Sequence, residues 1–132
     1  MNPALLRVIF LVPGKIIEKI WGDLYGIQIS RHANIGGGFK IAHFSGIFIN
    51  SEVQIGDDVT VCQGTTVGIW GGTKSGAPSI GNNVYIGPGA KLFGKITIGN
   101  NVRIGANAVV FFDVPDNAIV YSPKPNVKIR DN

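Results

Sequence analysis

The amino-acid sequence predicts an all-β solenoid of short, stacked strands, and three observations lead there. From Ile29 onward an apolar residue returns every six positions, usually followed by glycine or another small residue: Ile35-Gly36, Ile41-Ala42, Ile55-Gly56, Ile80-Gly81, Ile86-Gly87, Ile98-Gly99 and Ile104-Gly105. A half-buried strand repeats every two residues and a helix every three or four, so a strict six describes short extended stretches joined by regular corners. Glycine accounts for 19 of 132 residues without a collagen period, which marks many tight corners. Hydrophobic residues make up 45% of the chain and charged residues 15%, ample for a core and unlike a disordered composition. The length suggests one domain.

Residues 1–28 stand apart. Glycine is sparse there, and Ile16, Ile17, Ile20 and Trp21 fall at helical spacing after a break at Pro13-Gly14. This helical segment is expected to cap the open end of the solenoid or to meet another subunit, since stacked repeats need a cover over their terminal apolar layer. The other expectation is a membrane-surface contact through residues 4–21. The apolar run Ala4–Val12 contains Arg7 and falls well short of the ~20 residues that span a bilayer. Neither a transmembrane helix nor a signal peptide is expected.

The solenoid itself is expected over residues 29–121. Its beats run through Ile29, Ile35, Ile41 and Ile47, reset at Ile55, continue to Val67, reset at Ile80 and continue to Val110. Four residues beyond many starts stands a small or β-branched residue, including Ala33, Ser45, Ser51, Val59, Thr65, Val84, Ala90, Val102 and Ala108. These are expected to supply the second inward position of each hexad. The first reset places two extra residues around Glu52-Val53-Gln54. The second ejects a loop from Ile69 to Ser79, and such loops commonly carry binding. Ile119-Val120-Tyr121 reads as a last strand. The tail, 122–132, opens on Ser122-Pro123-Lys124-Pro125, which cannot continue a ladder because proline lacks the donor.

The net charge of +4 is modest, and the basic residues are scattered except near Lys124, Lys128 and Arg130. A nucleic-acid footprint would need a denser stripe; a small anionic molecule such as a phosphate-bearing cosubstrate suits this distribution. Cys62 is the only cysteine, so neither an internal disulfide nor a cysteine metal site is available, and a reducing cytoplasm fits. Its place in the hexad suggests a small buried role.

Several stretches resemble the hexapeptide acyltransferases, in particular their serine acetyltransferase-like branch. Ile35-Gly36-Gly37-Gly38-Phe39-Lys40-Ile41-Ala42-His43-Phe44-Ser45-Gly46 is similar to that branch's Ile-Gly-x-Gly-x-x-Ile-x-His-x-x-Gly. Gln63-Gly64-Thr65-Thr66-Val67-Gly68 and Ile86-Gly87-Pro88-Gly89-Ala90-Lys91-Leu92-Phe93-Gly94 match two further motifs. The resemblance covers residues 28–128. It implies a left-handed parallel β-helix, a handedness that periodicity alone does not supply. It also implies an acetyl-CoA-dependent O-acetyltransferase without a metal, acting as a homotrimer with sites between subunits.

A lone histidine is more often structural, but the resemblance assigns His43 to the family's catalytic histidine. An alcohol attacks a thioester poorly until a base takes its proton, and imidazole has the suitable pKa. His32 has no such match and reads as a solvated corner residue. By the same resemblance Gly68, Pro88 and Ala106 fall at corners that meet the pantetheine arm, Arg103 lies beside them, and Lys124 or Lys128 meets the nucleotide phosphates. Proline at 88 offers a carbonyl but no amide hydrogen. Arg103 and the lysines also fit a plain solvated face.

Departures from serine acetyltransferases bear on the acceptor. Their Asp-Ile-His-Pro is Gln28-Ile29-Ser30-Arg31 here, so the carboxylate that would orient the imidazole is replaced by a carboxamide. Their second histidine, in Asp-Arg-His-Pro, is absent from Ser75-Gly76-Ala77-Pro78. His43–Asn50 and Gly76–Gly87 instead resemble acetyltransferases of capsule, lipopolysaccharide and exopolysaccharide synthesis. A sugar hydroxyl is therefore the expected acceptor, with Gln28, Asn50, Ser51, Glu52 and Trp70 as candidates to bind it. Asn50 equally suits a corner, and Trp70 equally suits packing against a neighbouring subunit. Serine as acceptor, and a non-catalytic scaffold, are the alternatives.

Overall fold

A computed structural model describes residues 14–20, 22–72 and 75–130. Residues 4–12, Pro13, Trp21 and Lys74, on which part of the sequence reading falls, lie outside the described residues. Residues 14–20 and 22–25 are helical. Everything that follows is strand and corner, coiled about five times around a three-sided core.

Each side is one parallel sheet. Side 1 stacks β1 (Ile27–Ile29), β4 (Ile47–Ile49), β7 (Thr66–Gly68), β10 (Lys91–Phe93) and β13 (Val109–Val110). Side 2 stacks β2 (Asn34–Ile35), β5 (Gln54–Ile55), β8 (Ser79–Ile80) and β11 (Thr97–Ile98), and a bridge from Ile98 to Val114 carries it into the fifth coil. Side 3 stacks β3 (Lys40–Ile41), β6 (Thr60–Val61), β9 (Tyr85–Ile86), β12 (Arg103–Ile104) and β14 (Ile119–Val120). Strands of two or three residues suffice because each backbone group bonds to the coil above or below, not to a partner along the chain.

The six-residue beat is the core. Ile55, Val61, Val67, Ile80, Ile86, Leu92, Ile98, Ile104 and Val110 are all buried, and rows such as Val67, Leu92 and Val110 stand in register from coil to coil. The second inward row holds Val53, Val59, Thr65, Val84, Ala90, Val102 and Ala108, also buried. Thr65 keeps its hydroxyl satisfied by donating to the Cys62 carbonyl at 2.8 Å. Cys62 is buried as expected, its thiol bonded to the Tyr85 hydroxyl at 3.2 Å.

The first reset lies elsewhere than the spacing suggested. Ile29 pairs with Ile49, and Ile49 with Val67, while Ile47 pairs with Ile27. The beat therefore runs Ile41 to Ile49, two residues longer than Val61 to Val67, and the extra pair belongs to the corner before β4. Ser45 and Ser51 are exposed and do not fill the core; Ile47 and Val53 take those inward places. The ambiguity is physical: Ile47 and Ile49 both point inward in a strand of period two, so either satisfies a six-residue count.

Two kinds of corner hold the coils. Between sides 3 and 1, Gly46, Gly64 and Gly89 have φ of 65, 70 and 71° and lie one above another. A Cβ on Gly46 would stand 3.4 Å from the Gly64 Cα, and one on Gly64 the same distance from the Gly89 Cα. Between sides 2 and 3, Asp58, Asn83, Asn101 and Asn117 take the left-handed conformation, which Asn and Asp tolerate best after glycine. The residues before them form a ladder: Gly37 N donates to Asp57 Oδ1, Asp57 N to Asn82 Oδ1, Asn82 N to Asn100 Oδ1 and Asn100 N to Asp116 Oδ1, at 2.7–2.8 Å.

The ends are less complete. Ile16, Ile17, Ile20 and Leu24 of the helical segment remain at least half exposed, so it covers the first coil only in part. The tail 122–130 forms no strand; Ser122 ties it to the solenoid by donating to the Ala106 carbonyl at 3.2 Å.

Candidate functional site

His43 and Phe44 are the two extra residues. Ala42 N donates to the Val61 carbonyl at 2.9 Å, as the corresponding Cys62 N does to Ile86 one coil up, so the ladder is regular up to Ala42. It resumes at Ser45, whose carbonyl accepts from Gly64 N at 2.9 Å, as Gln63 accepts from Gly89 N and Pro88 from Asn107 N. Between those points the chain bulges outward, and Ser45 at φ 105° and Gly46 at 65° turn it back. Both bulge side chains are exposed, Phe44 by 62%. Tyr25 packs edge-on against Phe44 at 5.3 Å and 87°, and Ile47 N donates to the Gly26 carbonyl at 3.0 Å. The corner that carries His43 is thereby clasped to the helical segment on one side and to the next coil on the other.

The remaining candidates fall into separate groups. Pro88 and Ala106 share the His43 corner, on higher coils. The Pro88 carbonyl, expected to be open for a ligand, already accepts from Asn107 N at 2.8 Å, so only its second lone pair is available. Gly68 does not join them. It ends β7 at the corner between sides 1 and 2, buried beneath the Phe93 ring, and its carbonyl accepts from Gly94 N at 3.1 Å. Arg103 opens β12 on side 3 and donates to the Asn83 carbonyl at 3.0 Å, away from the His43 corner. Lys124 and Lys128 are exposed on the tail.

Gln28, Asn50 and Ser51 come together. They line a cleft of about 610 Å³ between side 1 and the helical segment, whose Lys19 and Asp23 form its other wall. Asn50 Oδ1 accepts from Glu52 N at 3.0 Å, so this side chain shapes its own corner as well. Glu52 is exposed and does not line the cleft. His32 is an exposed corner residue bonded by Arg31 Nε at 3.4 Å.

Trp70 emerges between sides 1 and 2 and meets its own chain: Phe93 at 6.3 Å and Phe111 at 6.1 Å, with Phe112 beyond. These rings and the side chains of Lys95 and Asp113 line a second cleft of about 440 Å³. Phe93 and Phe111 were not singled out by sequence, although each immediately follows an inward beat, Leu92 and Val110, in the same phase as Gly68. Among the described residues no group of His, Cys, Asp or Glu is placed to hold a metal ion, and no helix is long and apolar enough to cross a membrane.

Residues 77–111 match the family model described as bacterial transferase hexapeptide, six repeats. The chain is 43% identical over 125 residues to a protein of Escherichia coli strain K12 provisionally named colanic acid biosynthesis acetyltransferase WcaB, covering 94% of this chain and 77% of that one. The chain belongs to the bacterial hexapeptide transferases. Within that family it is also 42% identical over 129 residues to the serine acetyltransferase of Helicobacter pylori strain 26695, covering 97% of this chain and 75% of the relative. These relatives place this hexapeptide transferase among the acetyl-CoA-dependent acyltransferases.

Solved structures agree on the fold. Serine acetyltransferase isoform 3 of Entamoeba histolytica, in complex with cysteine, superposes with a TM-score of 0.78 at 34% identity, covering 87% of this chain and 41% of that one. The serine complex of the Neisseria gonorrhoeae enzyme gives 0.74 at 29%, covering 90% and 51%. This hexapeptide transferase thus spans about two fifths to one half of those solved chains.

Proposed function

We propose that this chain transfers the acetyl group of acetyl-CoA to a hydroxyl of a sugar or polysaccharide precursor, with His43 as the general base. The observation that carries this is the bulge itself: of the corners between sides 3 and 1, one departs from the six-residue rule, and the departure consists of His43 and Phe44. In the step, the imidazole takes the hydroxyl proton while the oxygen attacks the thioester carbonyl carbon. The tetrahedral oxyanion collapses, the C–S bond breaks, and the imidazolium returns the proton to the departing thiolate.

A neutral polyol needs donors and acceptors more than fixed charge, and Gln28, Asn50 and Ser51 present these in one cleft. That cleft opens on side 1, whereas His43 stands on the corner between sides 3 and 1. A homotrimer that sets one subunit's corner against its neighbour's flank closes the site, with Pro88, Ala106 and the tail lysines along the acetyl-CoA groove. The proposed location is the cytoplasm, where acetyl-CoA is supplied, with residues 4–21 in contact with the inner membrane face.

Serine as acceptor is the second reading, favoured by the names of the Helicobacter pylori relative and of the solved structures. Against it stand Gln28 and Ser75-Gly76-Ala77-Pro78, where that branch has its Asp and second His motifs. The test follows thiol release from acetyl-CoA with serine, hexoses, amino sugars and nucleotide sugars, for wild type and His43→Ala. Release with a sugar, reduced about 100- to 10,000-fold in the variant, supports the proposal. Preference for serine selects the second reading. No release on any acceptor and no CoA binding leaves a scaffold and overturns both.

A further inference from the structure

Lys91 lies on the outer face of side 1, in register with Thr66 on the coil below and Val109 on the coil above. Its ammonium reaches down one coil and donates to the carbonyl of Gly64. Gly64 is the left-handed corner glycine, φ 70°, and the ladder bond at this corner runs from Gly89 N to the neighbouring Gln63 carbonyl, at 2.9 Å. The Gly64 N–H in turn donates to the Ser45 carbonyl at 2.9 Å, the point at which the His43–Phe44 bulge closes. The rest of the Lys91 column is Gln28, Phe48, Thr66 and Val109, so only the coil that bears on the bulge's anchor carries a cation.

We propose that Lys91 is a positioning residue for His43: through Gly64 and Ser45 it holds the base of the bulge, and so the place of the imidazole above the corner. The proposal rests on His43 being the general base. A charge-assisted bond is about twice as strong as a neutral one, and this one fixes a glycine peptide that no side chain of its own restrains. Phe44 is already clasped by Tyr25 from the opposite side. The Gln63–Gly64 peptide is held by its own bonds, Gly64 N to the Ser45 carbonyl and Gly89 N to the Gln63 carbonyl, and Lys91 adds a hold on the following Gly64–Thr65 peptide. Without Lys91 that second peptide is released at the left-handed residue whose N–H anchors the bulge.

The experiment uses the full chain and the variants Lys91→Met and Lys91→Arg, with two measurements. The protein has two histidines, so His32, in a remote corner, serves as the internal reference for imidazole NMR. Lys91→Met is expected to shift or broaden the His43 Cε1–Hε1 resonance and leave that of His32 in place. It is also expected to lower kcat about 10- to 100-fold, the cost of a small misplacement of a catalytic group, with KM for acetyl-CoA within about twofold of wild type. Lys91→Arg restores most of both, since it keeps the cationic donor.

An unchanged His43 resonance with unchanged kcat overturns the proposal. So does a rise in KM for acetyl-CoA at constant kcat, which would make Lys91 a cosubstrate contact. Loss of folding in both variants also overturns it, because Lys91 would then serve the coil and not the bulge. If the wild type releases no CoA on any acceptor, the functional proposal fails by itself, and the resonance comparison still decides the link from Lys91 to His43.

Discussion

Excising His43 and Phe44, so that Ala42 joins Ser45, should leave the solenoid folded and abolish acetyl transfer. The shortened corner has the same length as Val61 to Val67 above it, and the ladder bonds on either side, Ala42 N to Val61 O and Gly64 N to Ser45 O, stay in place. What is lost is small. Phe44 is 62% exposed, so little burial goes with it, and its edge-on contact with Tyr25 is worth about 0.5–1.5 kcal/mol. His43 is exposed and adds little burial. The expected destabilisation is therefore about 1 kcal/mol. Deleting Glu52 and Val53, where spacing alone puts the extra residues, should behave very differently. Val53 is fully buried and its carbonyl accepts from Asn34 N at 3.0 Å. Losing that side chain costs about 2 kcal/mol of burial, and the ladder bond and the displaced register add to it. The assay is urea unfolding followed by far-UV circular dichroism, with thiol release from acetyl-CoA measured on the same preparations. Excision of His43-Phe44 that costs more than about 3 kcal/mol, or a Glu52-Val53 deletion that is the better tolerated, refutes this assignment of the bulge.

Leu92→Ala should cost about 3–5 kcal/mol: Leu92 is fully buried between Val67 and Val110, and a coil laddered from both sides cannot collapse onto the cavity. A change below about 1 kcal/mol in denaturant midpoints, well under that range, would show that the core is looser than the register implies. The hydrogen bond to Cys62, the repulsion between their charged forms and burial raise the Tyr85 phenol above its ordinary 10.0. The folded chain therefore favours the protonated phenol, and the associated stability is present below pH 10 and is lost as pH rises through the higher folded value. Denaturation midpoints should fall more steeply above pH 10 in wild type than in Tyr85→Phe; parallel alkaline limbs would count against the Cys62–Tyr85 coupling.

Much of the fold was legible because a solenoid repeats one local rule. Every coil buries the same two positions, so Ile80, Ile86, Leu92, Ile98 and Ile104 announced themselves by spacing alone, and all are buried. The paired Asp57-Asp58, Asn82-Asn83, Asn100-Asn101 and Asp116-Asn117 were equally regular, yet their ladder of side-chain oxygens on the next coil's amides depends on stacking between residues far apart in sequence. The second insertion, from Ile69 to Ser79, was visible because it is long. The first was misplaced because Ile47 and Ile49 share one face of a strand, and only pairing with Ile27, Ile29 and Val67 distinguishes them.

The candidate site divides along the same line. His43 was marked by its motif, and Gln28, Asn50 and Ser51 by hydrogen-bonding side chains suited to a neutral polyol; the structure brings the last three into one cleft. Lys91 stood inside a matched motif, but its partner was not legible, since its bond to Gly64 spans 27 residues of sequence. Sequence by itself determined the period, most of the inward rows, the presence of tight corners and the resemblance to the family, because each depends on residues within one coil. Only the tertiary structure decided that the irregular corner between sides 3 and 1 is the one holding His43, that Gly68 and Arg103 stand apart from it, and that Lys91 bonds the Gly64 carbonyl beside it. Those facts depend on register between coils, which is set by how neighbouring rungs bond and not by any spacing along the chain.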